Sequence, residues 1–126
     1  MPKPKKKKFK NERRLYNRFA LRGTLPGDLR DKNGNRLDIV TVDVSSNGMG
    51  LLIDPAPKIG DMLSLSMTKD GQPIDLIFKV EWIQPAAGLV DIPGVEDAKR
   101  CGVLLKNDGI NLLELLSGFN SVHIEE

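Results

Sequence analysis

From Arg18 onward the chain is cut into short runs in which apolar and polar residues alternate, and the runs break at Gly, Pro, Asn or Asp. Alternation with a period of two is the pattern of a half-buried strand, since successive side chains then point to opposite faces. Arg18 to Leu25 puts Phe19, Leu21 and Gly23 on one face and Ala20, Arg22 and Thr24 on the other, as a first strand would. Within Asp31 to Arg36 lies Asn33-Gly34, a pair that tolerates the positive φ angles of a tight hairpin. Leu37 to Val44 is then the return strand. Gly48 to Ile53, Met62 to Thr68, Ile74 to Ile83 and Cys101 to Leu105 follow as the third to sixth. The segments between them are Asp54 to Asp61, Lys69-Asp70-Gly71, and a loop from Gln84 to Lys99 rich in Pro, Gly and acid, long enough to be mobile or functional. Asp108 can cap a C-terminal helix whose Leu112, Leu113, Leu115, Leu116 and Phe119 form one apolar stripe. Six closely spaced strands and a terminal helix predict a mainly β fold, a small antiparallel β-barrel with the helix over one opening or flank.

The chain of 126 residues suffices for one hydrophobic core and is short for two. Its net charge of +2 hides an asymmetry: residues 1–22 carry ten Lys or Arg against Glu12 alone, giving +9 and leaving −7 for the rest. Residues 1–12 are Lys-rich with little apolar surface, so self-repulsion predicts a disordered tail, and the folded domain is expected over 13–124. Such a concentration of positive charge calls for an anionic partner, a solubilising role, or both. Cys101 is the single cysteine and lies in an apolar run, which reads as a packed, inert thiol. No window offers the ~20 apolar residues of a membrane span, and no apolar stretch follows the N-terminal charges as in a secretory signal. The expected location is the cytoplasm.

Two short segments carry recognisable chemistry. Arg14-Leu15-Tyr16-Asn17-Arg18 sets two guanidinium groups four residues apart just before the first strand, and Asp43-Val44-Ser45-Ser46-Asn47-Gly48 follows the second strand. If those strands pair, the two segments meet. Arginine's planar fork matches a phosphate or the Hoogsteen edge of guanine, and its flat face stacks on a base. Asp43 can accept the N1 and N2 hydrogens of guanine, Ser45 offers a hydroxyl to phosphate, and Gly48 permits a positive φ or a close ligand approach.

RxxxR followed by [D/N]xSxxG resembles the two-part signature of PilZ domains, with Arg14 and Arg18 matching the first part and Asp43, Ser45 and Gly48 the second. Phe78-Lys79-Val80-Glu81-Trp82 and Arg100-Cys101-Gly102-Val103-Leu104-Leu105 also resemble strands of that family. The resemblance spans roughly residues 12 to 122 and implies a receptor for cyclic di-GMP. The arginine segment would wrap around the ligand while the Asp/Ser/Gly turn grips it, changing what a protein effector sees. It further implies that Arg13, a basic residue just before the first motif arginine, goes with capture of two mutually intercalated ligand molecules. No cofactor and no metal are expected.

Competing readings exist for each feature. Arg14 and Arg18 can continue the basic tail as solvated charge, and Asp43 to Gly48 can be an ordinary turn. Trp82, a large aromatic, is expected in the core or at a barrel mouth ahead of base stacking. His123 has no second histidine for a metal pair, and Asp91, Glu96 and Asp97 have no matched nucleophile, so a binding protein is expected and not an enzyme. From a different class comes nucleic-acid or anionic-membrane binding through the six lysines of the first ten residues, with the barrel as an interaction module. Phe9 alone is little for base stacking.

Overall fold

The structure, a computed structural model, describes residues 18–85 and 99–125. Its strands are β1 (Phe19–Gly23), β2 (Leu29–Arg30), β3 (Asp38–Val44), β4 (Gly48–Asp54), β5 (Met62–Lys69), β6 (Gln72–Pro85), β7 (Lys99–Leu105) and β8 (Val122–Glu125), with a helix α1 (Leu112–Ser117) before the last. All pairings are antiparallel, in the order β2-β5-β6-β7-β4-β3-β1-β8. Among the described residues, no helix is long and apolar enough to cross a membrane.

Alternation along each strand sends one set of side chains to a single cluster. Leu21 of β1, Leu29 of β2, Val44 of β3, Met49, Leu51 and Ile53 of β4, Leu63 and Leu65 of β5, Phe78 and Val80 of β6, Val103 of β7 and Val122 of β8 all belong to it. Every strand of one sheet can reach a common core only if the sheet is curled around it, so the architecture is an antiparallel half-barrel. Leu112 and Leu116 of α1 are fully buried in the same cluster, closing one side. Cys101 lies there too, and burial pushes its thiol up to about 11, in keeping with a packed, inert group.

Eight strands stand among the described residues where six were expected. The two-residue β2 is too short to show alternation, and β8 was hidden behind the leucine stripe. That stripe stops early: the Gly118 N–H donates to the Leu115 carbonyl at 3.2 Å and the Phe119 N–H to the Leu116 carbonyl at 3.1 Å, closing the helix, and the chain returns along β1. Asn111, not Asp108, is the N-cap, its side chain accepting the Glu114 N–H at 3.0 Å. The Gln84–Lys99 loop is shortened at both ends, since β6 runs through Pro85 and β7 begins at Lys99. The remainder of that loop and the basic tail lie outside the described residues.

The Asn33-Gly34 turn forms, with Gly34 at φ +85° and the Asp31 carboxylate accepting N–H groups of Asn33 and Asn35 at 2.9 Å each. Those N–H groups, Asn35's first, hold the Asp31 carboxyl below its usual range. The turn does not join β1 to β3 directly. It returns β2 to Arg36 and Leu37, with the Leu37 N–H donating to the Leu29 carbonyl at 2.9 Å, before β3 begins. β1 and β3 nevertheless pair at Phe19–Val44 and Ala20–Asp43, so the end of β3 lies beside the start of β1.

Candidate functional site

Two β-bulges decide what the outer face of the sheet carries. On β4, Met49 and Leu51 point into the core, so Gly50 between them points out. Regular pairing from Thr41–Leu51 would set Asp43 opposite Met49 and aim it inward. The register instead shifts between Thr41 and Asp43, and Asp43 comes opposite Gly50 on the outer face. A second shift, between Val80 and Trp82, brings Trp82 opposite Gly102 in the same way. One row of paired residues therefore crosses five strands from Ala20 through Asp43, Gly50 and Gly102 to Trp82.

The two glycines make this row compact. A Cβ on Gly50 would stand 2.6 Å from Asp43 Oδ1, so the carboxylate lies directly over the β4 backbone. A Cβ on Gly102 would collide with the Trp82 indole, which lies over β7 in the same manner. Trp82 is thus half-buried on the outer face and takes no place in the central cluster.

Arg18, the residue before β1, donates from Nη1 to Asp43 Oδ1 at 2.9 Å across 25 residues of sequence. Arg100 of β7 adds a second guanidinium, its Nη2 being 3.7 Å from Asp43 Oδ2. Side-chain exposures of 28% for Arg18, 20% for Asp43 and 36% for Arg100 make this a partly shielded cluster, less screened by salt than an open surface pair. One carboxylate between two guanidinium groups leaves a local excess of positive charge, which favours an anion.

The rest of the second motif builds the turn that ends β3. Ser45 is buried; its N–H donates to the Gly48 carbonyl at 2.9 Å and its hydroxyl donates to Asn47 Oδ1 at 3.0 Å. In this arrangement the hydroxyl serves the turn, so reaching a phosphate requires an exchange of partners. The turn is tied down by the Leu105 N–H on the Asn47 carbonyl at 2.7 Å and the Leu112 N–H on the Ser46 carbonyl at 2.8 Å. Gly48 is not at positive φ. It is needed because a Cβ there would stand 2.5 Å from the Val103 carbonyl oxygen of β7.

Of the residues expected at the site, Arg18 and Asp43 meet, and Ser45 and Gly48 form the adjoining turn. Arg13 and Arg14 lie outside the described residues. Arg100 was missed, although it shares a strand face with Gly102; only the register across β7, β4 and β3 reveals that this face also holds Asp43. A cleft of about 560 Å³ opens where β1 diverges from β3, lined by Leu21, Leu25, Leu29, Leu37 and neighbours. Among the described residues its lining includes none of the motif, and the chemistry of the Arg18–Asp43 face outweighs its volume.

The class of protein defined by the fold is a small, curled antiparallel half-barrel, here with an arginine–carboxylate cluster on its outer face. The sequence model for the PilZ domain matches residues 12–105, three quarters of the chain, and the chain belongs to the PilZ domain family. PilZ domains are cyclic di-GMP-binding modules that usually act on protein effectors; they are not enzymes. No curated protein matches the chain significantly.

Proposed function

We propose that this protein is a cyclic di-GMP receptor that alters its surface on binding to regulate a protein effector. The observation that carries this reading is the 2.9 Å contact between Arg18 and Asp43, which joins the two halves of the motif on one face. Arg18, with Arg14 four residues before it in sequence, offers guanidinium forks to phosphate and to the Hoogsteen edge of guanine. Asp43 accepts the guanine N1 and N2 hydrogens. Ser45 and Gly48 hold the carboxylate's strand end in place, and the Ser45 hydroxyl is within the same turn for a phosphate. The segment from Arg13 to Arg18 wraps around the ligand as it binds, which is the change an effector would read.

Arg13 supports a stoichiometry of two. An intercalated pair of cyclic di-GMP molecules carries four phosphates, and a third guanidinium offsets charge that two would leave exposed while stacking on an outer guanine. Calorimetric titration of the whole chain with cyclic di-GMP is expected to saturate at two ligands per chain, and Arg13→Leu to move the ratio towards one with binding retained. A titration without heat, checked by an independent binding assay that also shows nothing, would overturn the receptor reading. Saturation of the parent at one ligand would overturn the role given to Arg13.

A further inference from the structure

Two guanidinium groups compete for Asp43, and they hold it unequally. Arg18 makes a full charge-assisted hydrogen bond to Oδ1 at 2.9 Å, whereas Arg100 stands 3.7 Å from Oδ2, an ion pair too long to be a hydrogen bond. Arg100 is fixed by register, opposite Leu52 on β4 and Gln84 on β6, two residues along β7 from Gly102. Its Nε is buried and has no hydrogen-bond partner among the described residues, although the end of the side chain reaches solvent. A buried donor left unmade is a standing cost to the fold. Among the described residues, the carboxylate facing this guanidinium is the one that Arg18 already holds.

Engaging a phosphate or a guanine asks Arg18 to turn its fork away from Asp43. The carboxylate, four-fifths covered, would then lose its hydrogen-bonded cation in a place where water replaces it poorly. Arg100 sits on a strand paired on both sides and does not move with the segment before β1. Resting on the cyclic di-GMP reading, we infer that Arg100 is a positioning residue that takes Asp43 over from Arg18 as the ligand binds. Its Nη2 closes the remaining ~0.8 Å to charge-assisted hydrogen-bond distance from Oδ2, a hydrogen bond that it does not make while Arg18 holds the carboxylate. The carboxylate stays anchored over Gly50 with lone pairs open to guanine, and Arg18 is released to the ligand. Without Arg100, the release of Arg18 strips Asp43 of both cations, so Arg18 stays where it is.

A double-mutant cycle tests this hand-over. Cyclic di-GMP affinity is measured for the parent, Arg100→Met, Asp43→Asn and the double variant, with Arg100→Lys in parallel and a thermal melt to confirm that each folds. Arg100→Met is expected to weaken binding about tenfold in the parent background, and not at all in the Asp43→Asn background, where no charge needs to be taken over. Arg100→Lys, which keeps the charge and loses the fork, is expected to fall between. An Arg100→Met loss that adds in full to that of Asp43→Asn, or no loss in either Arg100 variant, would overturn the hand-over. A parent that does not bind cyclic di-GMP overturns the receptor reading instead, so the two failures are told apart.

Discussion

Gly50 is outside both motif segments, and Gly50→Ala tests how closely the Asp43 carboxylate must be placed. Gly50 is not among the residues at positive φ, so an alanine meets no backbone strain there. Its Cβ would stand 2.6 Å from Oδ1, 3.2 Å from Cγ and 3.3 Å from Oδ2 of Asp43. Ordinary contact begins near 3.4 Å, so the carboxylate must retreat by roughly 0.8 Å, and the end of a flexible side chain can do so. If the retreat is away from Arg18, the 2.9 Å contact lengthens beyond hydrogen-bond range. Losing a partly shielded pair costs about 1 kcal/mol of stability. Replacing glycine by alanine returns about 0.4–1 kcal/mol by restricting the unfolded chain. The two nearly cancel, and the melting temperature should stay within about 4 °C of the parent. Ligand affinity has no such compensation and should fall by about 1–2 kcal/mol, roughly five- to thirtyfold. Calorimetry with cyclic di-GMP beside a thermal melt separates the two quantities. Unchanged affinity would refute the need for this placement, and a melting point lowered by ten degrees or more would show that Gly50 serves the fold.

Arg14→Ala and Arg18→Ala should each weaken cyclic di-GMP binding by roughly 2–3 kcal/mol, the range for a charge-assisted bidentate contact; parent-like binding in both would remove the motif assignment. Deleting residues 1–10 should abolish any salt-sensitive binding to polyanions and leave dinucleotide binding largely intact, as filter binding at two salt concentrations and calorimetry would reveal. Cys101 has its thiol pKa raised in the folded state from 9.0 to about 11, so folding favours the protonated form. That contribution to stability is complete below pH 9 and is lost as pH rises towards 11. The parent should therefore lose more stability than Cys101→Ala over that window in denaturant melts, and equal losses would mean the thiol titrates normally.

The strands were legible where alternation was long and uninterrupted. Met62 to Thr68 and Cys101 to Leu105 could be read directly, because each buries one side chain in two against the same core. Strand ends and short strands were not, since they depend on partners far away in sequence. β2 exists because Leu29 and Arg30 lie against Leu65 and Ser64 of β5, and β8 exists because β1 offers it an edge. No local pattern announces either contact. The same holds at the helix: both Asp108 and Asn111 are good N-cap residues, and Gly109, at φ +79°, turns the chain so that Asn111 takes the cap.

The candidate site was legible as chemistry before it was legible as geometry. Arg18 and Asp43 are residue types suited to one ligand, and a hairpin-like return was enough to expect them together, even though the path between them includes β2. Arg100, Gly50 and Trp82 were different, because their joint placement depends on the two register shifts. A continuous alternation through Leu37 to Val44 puts Asp43 on the same face as Thr41 and Ile39, whereas the shift at Val42 moves it to the other. Neither Val42 nor Glu81, the residues passed over by the shifts, is a glycine or proline that would mark an irregular strand. What fixes them is the demand of the core on both sides: Thr41 and Val44 must pair with Leu51 and Met49, and only an extra residue in β3 satisfies both. The site face is thus a consequence of how the interior packs. Substitutions at Met49 or Leu51 that loosen that register are expected to disturb Asp43 without touching it.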